Sequence, residues 1–158
     1  MAAVLLALGG CTGTGFGGPS VFGGSPAQIA DISGLGNYTA AGALVEARNY
    51  FRTGNFGYSA AYYKKATELS PQNAEGYVGL AASYDRLGRF DLSDRVYRAL
   101  LRISGQSVQY YNNVGYSYML RGNLSAALVN FRKAASLDPK NIVVANNLQL
   151  LADAAAAA

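Results

Sequence analysis

Between Ala40 and Asn141 apolar residues recur at intervals of three, four and seven, the spacing that lays one buried stripe along a helix, and the whole pattern recurs every 34 residues. That step links Gly54, Gly88 and Gly122; Tyr50, Tyr84 and Tyr118; Tyr63, Tyr97 and Phe131; Phe56, Phe90 and Leu124; and Ala66, Leu100 and Ala134. Pro71 and Pro139 stand two steps apart. Each unit reads as two helices, A and B, broken by the glycine, because a left-handed residue closing a helix costs glycine nothing. A helix B ending at Asp138-Pro139 follows from proline pushing the preceding residue out of helical conformation. The small pairs Ala47/Ser59, Ala81/Ser93 and Gly115/Ala127 let the two helices of a unit approach closely.

The pattern predicts helices over Ala41–Arg52 and Gly57–Leu69 in repeat 40–73, Glu75–Leu87 and Asp91–Ile103 in repeat 74–107, and Gln109–Leu120 and Ser125–Leu137 in repeat 108–141. Gly105 stands where the other repeats have proline, so the joint into the third repeat is expected to be looser. A closing helix over 142–153 follows, its Val144, Leu148 and Leu151 covering repeat three and its Asn146, Asn147 and Gln149 facing water. The alanine tail 154–158 has helix propensity but little to pack against, and is expected to fray. No single repeat buries its own face, so three repeats and a cap form about the smallest stable array.

Ahead of the repeats, residues 1–10 hold an apolar run, Ala2–Leu8, too short to span a bilayer and of the length of a signal-peptide core. Leu8-Gly9-Gly10-Cys11 looks like a bacterial lipobox, which implies lipidation of Cys11; by resemblance to lipoproteins generally, Thr12 rather than Asp after the cysteine implies delivery to the outer membrane. Its departure is that no Lys or Arg precedes the run. Residues 11–39 are rich in Gly, Ser and Pro and read as a flexible linker; about 27 such residues reach roughly 28 Å root-mean-square. Ile29 and Ile32 are placed to pack on the first helix. Gly13–Gly18 matches G-x-G-x-x-G, but Pro19, Gly23 and Gly24 oppose the helix that a dinucleotide site needs next.

Composition narrows the chemistry. The chain has no His and one Cys, which removes the usual general base, any internal disulfide and any cysteine-based zinc cluster. No cofactor, small-molecule substrate or enzymatic activity is expected. Asp85, Asp91 and Asp94 fall at a helix end or first turn, where acids serve as caps and dipole partners. All 13 Lys and Arg lie in the repeats, against seven acids there. Such a surface favours acidic partners or anionic headgroups, although a merely solvated face explains it as well; it lacks the dense basic stripe of a nucleic-acid binder.

The period and the residues above resemble the tetratricopeptide-repeat (TPR) family over Ala40–Asn141. The resemblance implies an all-α solenoid of three helix–turn–helix repeats with a C-terminal capping helix, behind a disordered Gly-rich tether. It also implies a peptide-binding groove on the A helices. Carried over position by position, that groove takes Ala41, Leu44, Arg48, Phe51 and Arg52 from the first repeat, Glu75, Val78, Ala82, Asp85 and Arg86 from the second, and Gln109, Asn112, Tyr116, Met119 and Leu120 from the third. Asn112 and Asn113 recur as Asn146 and Asn147, and resemble the asparagine ladders with which some members bond a guest backbone. The positions of the clamp that grips chaperone tails hold Leu44, Arg48, Gly79, Gln109 and Asn113, so a chaperone-tail adaptor is not expected. Lipobox, tether, repeats and the Asn-Asn-x-Gly-Tyr stretch together resemble the TPR lipoproteins of tight-adherence (Flp) pilus systems. That implies an outer-membrane lipoprotein facing the periplasm, non-enzymatic, binding a pilus or secretion component. The alternative is a structural partner of a cell-wall enzyme, bound through the convex face.

Overall fold

The computed structural model describes residues 28–34 and 36–157. Among them are seven α-helices: α1 (Ala40–Arg52), α2 (Phe56–Leu69), α3 (Ala74–Arg86), α4 (Phe90–Ser104), α5 (Val108–Leu120), α6 (Leu124–Leu137) and α7 (Ile142–Ala156). None of the described helices is long and apolar enough to cross a membrane. The Cys11 lipobox and the Gly13–Gly18 motif lie outside the described residues.

Three hairpins, α1/α2, α3/α4 and α5/α6, stack in order, and α7 closes the last. Gly54, Gly88 and Gly122 take φ of 78°, 69° and 76° at the hairpin turns, the left-handed conformation their register implied. The A helices start on side-chain caps: Thr39, Asn73 and Ser107 accept from backbone N–H groups of the first turn, each such bond contributing about 1 kcal/mol. All six repeat helices begin one residue earlier than the sequence pattern placed them. α7 runs on through Ala156, so most of the alanine tail extends the cap: alanine's propensity suffices to continue a helix already nucleated by packing.

The core follows the small-against-large rule of the repeat. Ala43, Ala47, Ala60, Ala81, Ala127, Phe131 and Ala134 are fully buried. A Cβ on Gly115 would stand 2.7 Å from the Phe131 ring, and one on Gly79 would overlap the Tyr63 ring. Both glycines are therefore sites of close helix approach, one within the third repeat and one between the first and second.

The described end of the linker is folded, which corrects the expectation of a free tether reaching residue 39. Ile29, Ile32 and Tyr38 pack on the first core, Ala30 N–H donates to Gly57 O at 3.2 Å, and the Tyr38 and Tyr62 hydroxyls meet at 3.0 Å. The arm lies along α2 rather than on α1 alone. The reason is Gly57: a Cβ there would collide with the Gln28 carbonyl, so only glycine admits the strand-like arm against the start of α2.

The joints are unequal. α3 lies broadly along α2, whereas α5 touches α4 sparingly, as Gly105 (φ 66°) in place of proline implied.

A Gly79→Ala substitution gains about 1 kcal/mol of helix propensity but must displace a buried tyrosine ring, an overpacking cost of about 1–3 kcal/mol. We expect net destabilisation, seen as a lower urea midpoint with unchanged m-value, and a smaller loss for the equivalent change at half-buried Gly42, where a Cβ would meet only the Thr39 hydroxyl, at 3.2 Å.

Candidate functional site

Helices α1, α3 and α5 present a depression of about 230 Å³ lined by Phe51, Val78, Ala82, Asp85, Arg86, Tyr97, Asn112, Asn113, Tyr116 and Leu120. Nine of these are residues assigned to the groove from sequence. Its walls are apolar: Val78 and Leu120 are half-buried, and Tyr116 is exposed. Phe51 stacks edge-on against Phe56 at 5.2 Å, and the Arg86 guanidinium sits over the Phe56 ring at 4.4 Å. Arg86 has no ion-pair partner among the described residues.

The floor is polar and unusually well satisfied. Asp85 is 2% exposed. Its Oδ1 accepts from Ser93 Oγ at 2.6 Å and Ser117 Oγ at 2.7 Å, and its Oδ2 accepts from the Tyr97 hydroxyl at 3.0 Å. The Arg121 Nη2 stands 3.8 Å from Oδ1 and pairs more closely, at 2.9 Å, with Asp94. Asp85 is thus neither a cap nor a dipole partner nor a groove side chain reaching for a guest. It ties α3 to α4 and α5, and the single Tyr97 hydroxyl proton is shared with Asn113 O at the longer distance of 3.3 Å. The corresponding joint one repeat earlier has a neutral form of the same device: Ser59 and Ser83, in register with Ser93 and Ser117, meet at 2.9 Å. Asp91 sits in the first turn of α4 as expected; Asp94 lies just beyond that turn and holds Arg121.

Burial pushes the Asp85 carboxyl above the ordinary carboxylate range, against the opposing pull of the three hydroxyls and Arg121. The Tyr97 hydroxyl is pushed well up by its own burial and by the neighbouring Asp85 charge.

Beside the floor, Asn113 Nδ2 is buried and has no hydrogen-bond partner. An unmet buried donor costs about 1–3 kcal/mol, and the side chain that carries it is part of the lining of the depression. Its neighbour is already used: Asn147 Nδ2 donates to Asn112 Oδ1 at 2.8 Å. The ladder therefore closes on itself between α5 and α7, and Asn147 is half-buried rather than turned to water. Asn146 is exposed.

Seven of the groove positions carried over on the A helices stand elsewhere, exposed Ala41 and Glu75 among them. Leu44 is 7% exposed and belongs to the first core; where the register's first large residue is only Ala43, the adjacent leucine fills the volume. Met119 packs on the Ala127/Phe131/Leu151 cluster. Arg48 forms an ion pair with Glu75, and Arg52 donates to Asn49 Oδ1 at 2.8 Å. Gln109 lines a separate depression of about 340 Å³ with Val108, Asn141, Val143 and Val144, which shares Asn112 and Asn113 with the groove. Tyr97 is the groove-lining residue absent from the sequence assignment; it carries no signal, since its register marks it as core.

Models of the tetratricopeptide repeat match residues 40–73 and 74–107 and residues 108–141, about two thirds of the sequence. The chain belongs to the tetratricopeptide-repeat family. Solved TPR structures share the fold. The first TPR domain of human RPAP3 is 20% identical, with a TM-score of 0.65 over 77% of this chain and 96% of its own. The first TPR of Spaghetti (RPAP3), bound to the HSP90 peptide SRMEEVD, gives 20% and 0.62 over 75% and 94%. The Yersinia enterocolitica type III secretion chaperone SycD, in complex with a peptide of the translocator YopD, gives 15% and 0.61 over 75% and 96%. No curated protein sequence registers a match to the chain.

The Asp85 floor makes stability depend on pH in a definite direction. The folded carboxyl binds its proton more tightly than the unfolded one. Wild type should therefore gain stability relative to Asp85→Asn as pH falls from about 7 toward 4, and lose it as pH rises. Urea midpoints of the two proteins across that interval check the sign.

Proposed function

We propose that this TPR protein is a non-catalytic scaffold that captures a segment of another protein in the groove of α1, α3 and α5, as an assembly factor of a bacterial envelope machine such as a Flp-type pilus or secretion system. The observation that carries this reading is the combination of apolar walls with one unmet amide. Val78, Tyr116 and Leu120 offer burial to a guest side chain, worth about 25 cal/mol per Å² removed from water. Asn113 Nδ2, once its side chain turns outward, offers a bond to a guest carbonyl, which every extended backbone carries. The groove is thereby matched to a main chain plus apolar side chains.

The chemistry also says what the groove is not matched to. Its only carboxylate is already bonded three times, and Arg86 is the one cation on its lining, so it is poorly equipped for a densely acidic tail. The lipobox motif supports the second half of the proposal: lipidation at Cys11 would hold the repeats at the outer membrane, facing the periplasm. There the lipid supplies placement and the groove supplies specificity.

The test is affinity purification of the tagged protein from its own host in mild detergent, wild type beside Tyr116→Asp/Leu120→Glu, with mass spectrometry of partners and of the N-terminal peptide. We expect pilus or secretion components with the wild type, their loss by tenfold or more in the variant, and a lipid-modified Cys11. Equal recovery from a correctly folded variant would place the binding surface outside the groove, and an unmodified Cys11 would remove the anchor.

A further inference from the structure

The net charge of this chain resides on one layer of the solenoid. The B helices α2, α4 and α6 carry seven of the 13 Lys and Arg and three of the nine acids, while α1, α3, α5 and α7 carry three cations and four acids. The acids of the B layer are occupied: Glu68 lies 3.9 Å from Lys64, Asp91 lies 3.8 Å from Arg89, and Asp94 holds Arg121. The cations on α4 and α6 are mostly not. Arg95, Arg98 and Arg102 are spaced three and four residues apart on one face of α4, exposed, and without an ion pair among the described residues. Arg132, one repeat beyond Arg98 in register, is likewise exposed and unpaired. Beside it Lys133 rests only on the Tyr111 ring, at 5.3 Å, and α6 contains no acid.

Apolar side chains are set among these cations. Val129 and Leu137 are 53% and 52% exposed, and with Arg132 and Lys133 they fall on one face of α6 at helical spacing. Exposed aliphatic residues interleaved with unpaired cations on a helix are the pattern of a surface that enters the headgroup layer of an anionic bilayer, where the cations meet phosphates and the aliphatic side chains meet the acyl boundary. A nucleic acid would use the cations and leave Val129 and Leu137 in water. A rigid acidic protein face would call for cations held in fixed geometry, whereas Arg95, Arg98, Arg102 and Arg132 have no partner that orients them and suit a fluid, laterally mobile array of charges.

We propose that the α4/α6 face is a membrane-docking surface for anionic phospholipid, separate from the groove on the opposite helices. Docked this way, the protein lies against the bilayer with its groove turned away from the lipid. The contact does not depend on the reading of the groove or on Cys11.

Full-length protein carrying Cys11→Ala, so that no covalent lipid contributes, is incubated with vesicles of phosphatidylglycerol and phosphatidylethanolamine and, separately, of phosphatidylcholine alone, and binding is read by flotation. We expect binding to the anionic vesicles only, weakening steeply with added salt. Each cation at such a surface contributes on the order of fivefold in affinity. The Arg95→Gln/Arg98→Gln/Arg102→Gln/Arg132→Gln protein should therefore lose at least about tenfold, the matching four-lysine protein should retain binding, and Val129→Ser/Leu137→Ser should weaken it with the charge intact. These exposed positions leave the core untouched, so unchanged thermal unfolding serves as the folding control. Equal binding to neutral vesicles, binding indifferent to the four glutamines, or tighter binding to duplex DNA that ignores Val129→Ser/Leu137→Ser would overturn the proposal.

Discussion

Asp85 constrains the structure more than any other side chain. It is a carboxylate taken out of water in the middle of a helical stack, where desolvation costs several kcal/mol unless its lone pairs are met. Three hydroxyls from two other helices meet them, and Arg121 supplies the opposing charge. Removing any donor leaves a buried charge short of a partner, so Ser93, Tyr97, Ser117 and Arg121 are constrained together. The tie falls where apolar packing between repeats is thinnest, at the junction of α4 and α5. Directional hydrogen bonds join the second and third repeats here, where broad apolar contact joins the first and second. Because Asp85 and Tyr97 also line the groove, the same bonds that hold the second and third repeats together shape the floor on which a guest would lie.

The two helix layers divide the remaining work. The A helices carry little net charge and gather Phe51, Val78, Tyr116 and Leu120 around an unmet amide. The B helices carry the basic excess and leave Val129 and Leu137 in solvent. Such a division is open to a solenoid because each repeat presents both layers, and residues in register align along the array. Close packing makes it possible: glycine at positions 79 and 115 allows an aromatic ring of a B helix to lie directly on an A helix, so the core is built from tyrosine and phenylalanine against small residues, leaving large outward-facing positions free for other uses.

The repeat architecture was legible because it is written three times. A 34-residue register carried by glycine, tyrosine and alanine leaves little choice of fold, and the helix boundaries fell within one residue at nearly every end. Even the loose joint at Gly105 could be read. What could not be read were features set by one repeat's neighbours. Asp85 shares its register with Phe51 and Met119, and nothing local says that serines eight and 32 residues away will converge on it. Leu44 is drawn into the core because the first repeat has only Ala43 where the second has Tyr77. Asn147 looked free because the sequence does not reveal that Asn112 faces it. The folded arm at residues 28–34 was hidden by composition: a Gly- and Ser-rich stretch reads as linker, and only Gly57, a residue of the partner helix, shows why it docks.

The central claim is that a guest polypeptide lies in the groove of the A helices. Site-specific photo-crosslinking in the native cell tests it most directly, with benzoylphenylalanine placed at Tyr116 in the groove or at Val129 on the B-helix face. The account predicts a discrete protein adduct from position 116, mapping to one short apolar segment of a single partner, and no such adduct from position 129. The same partner joined from position 129, with none from position 116, would contradict it.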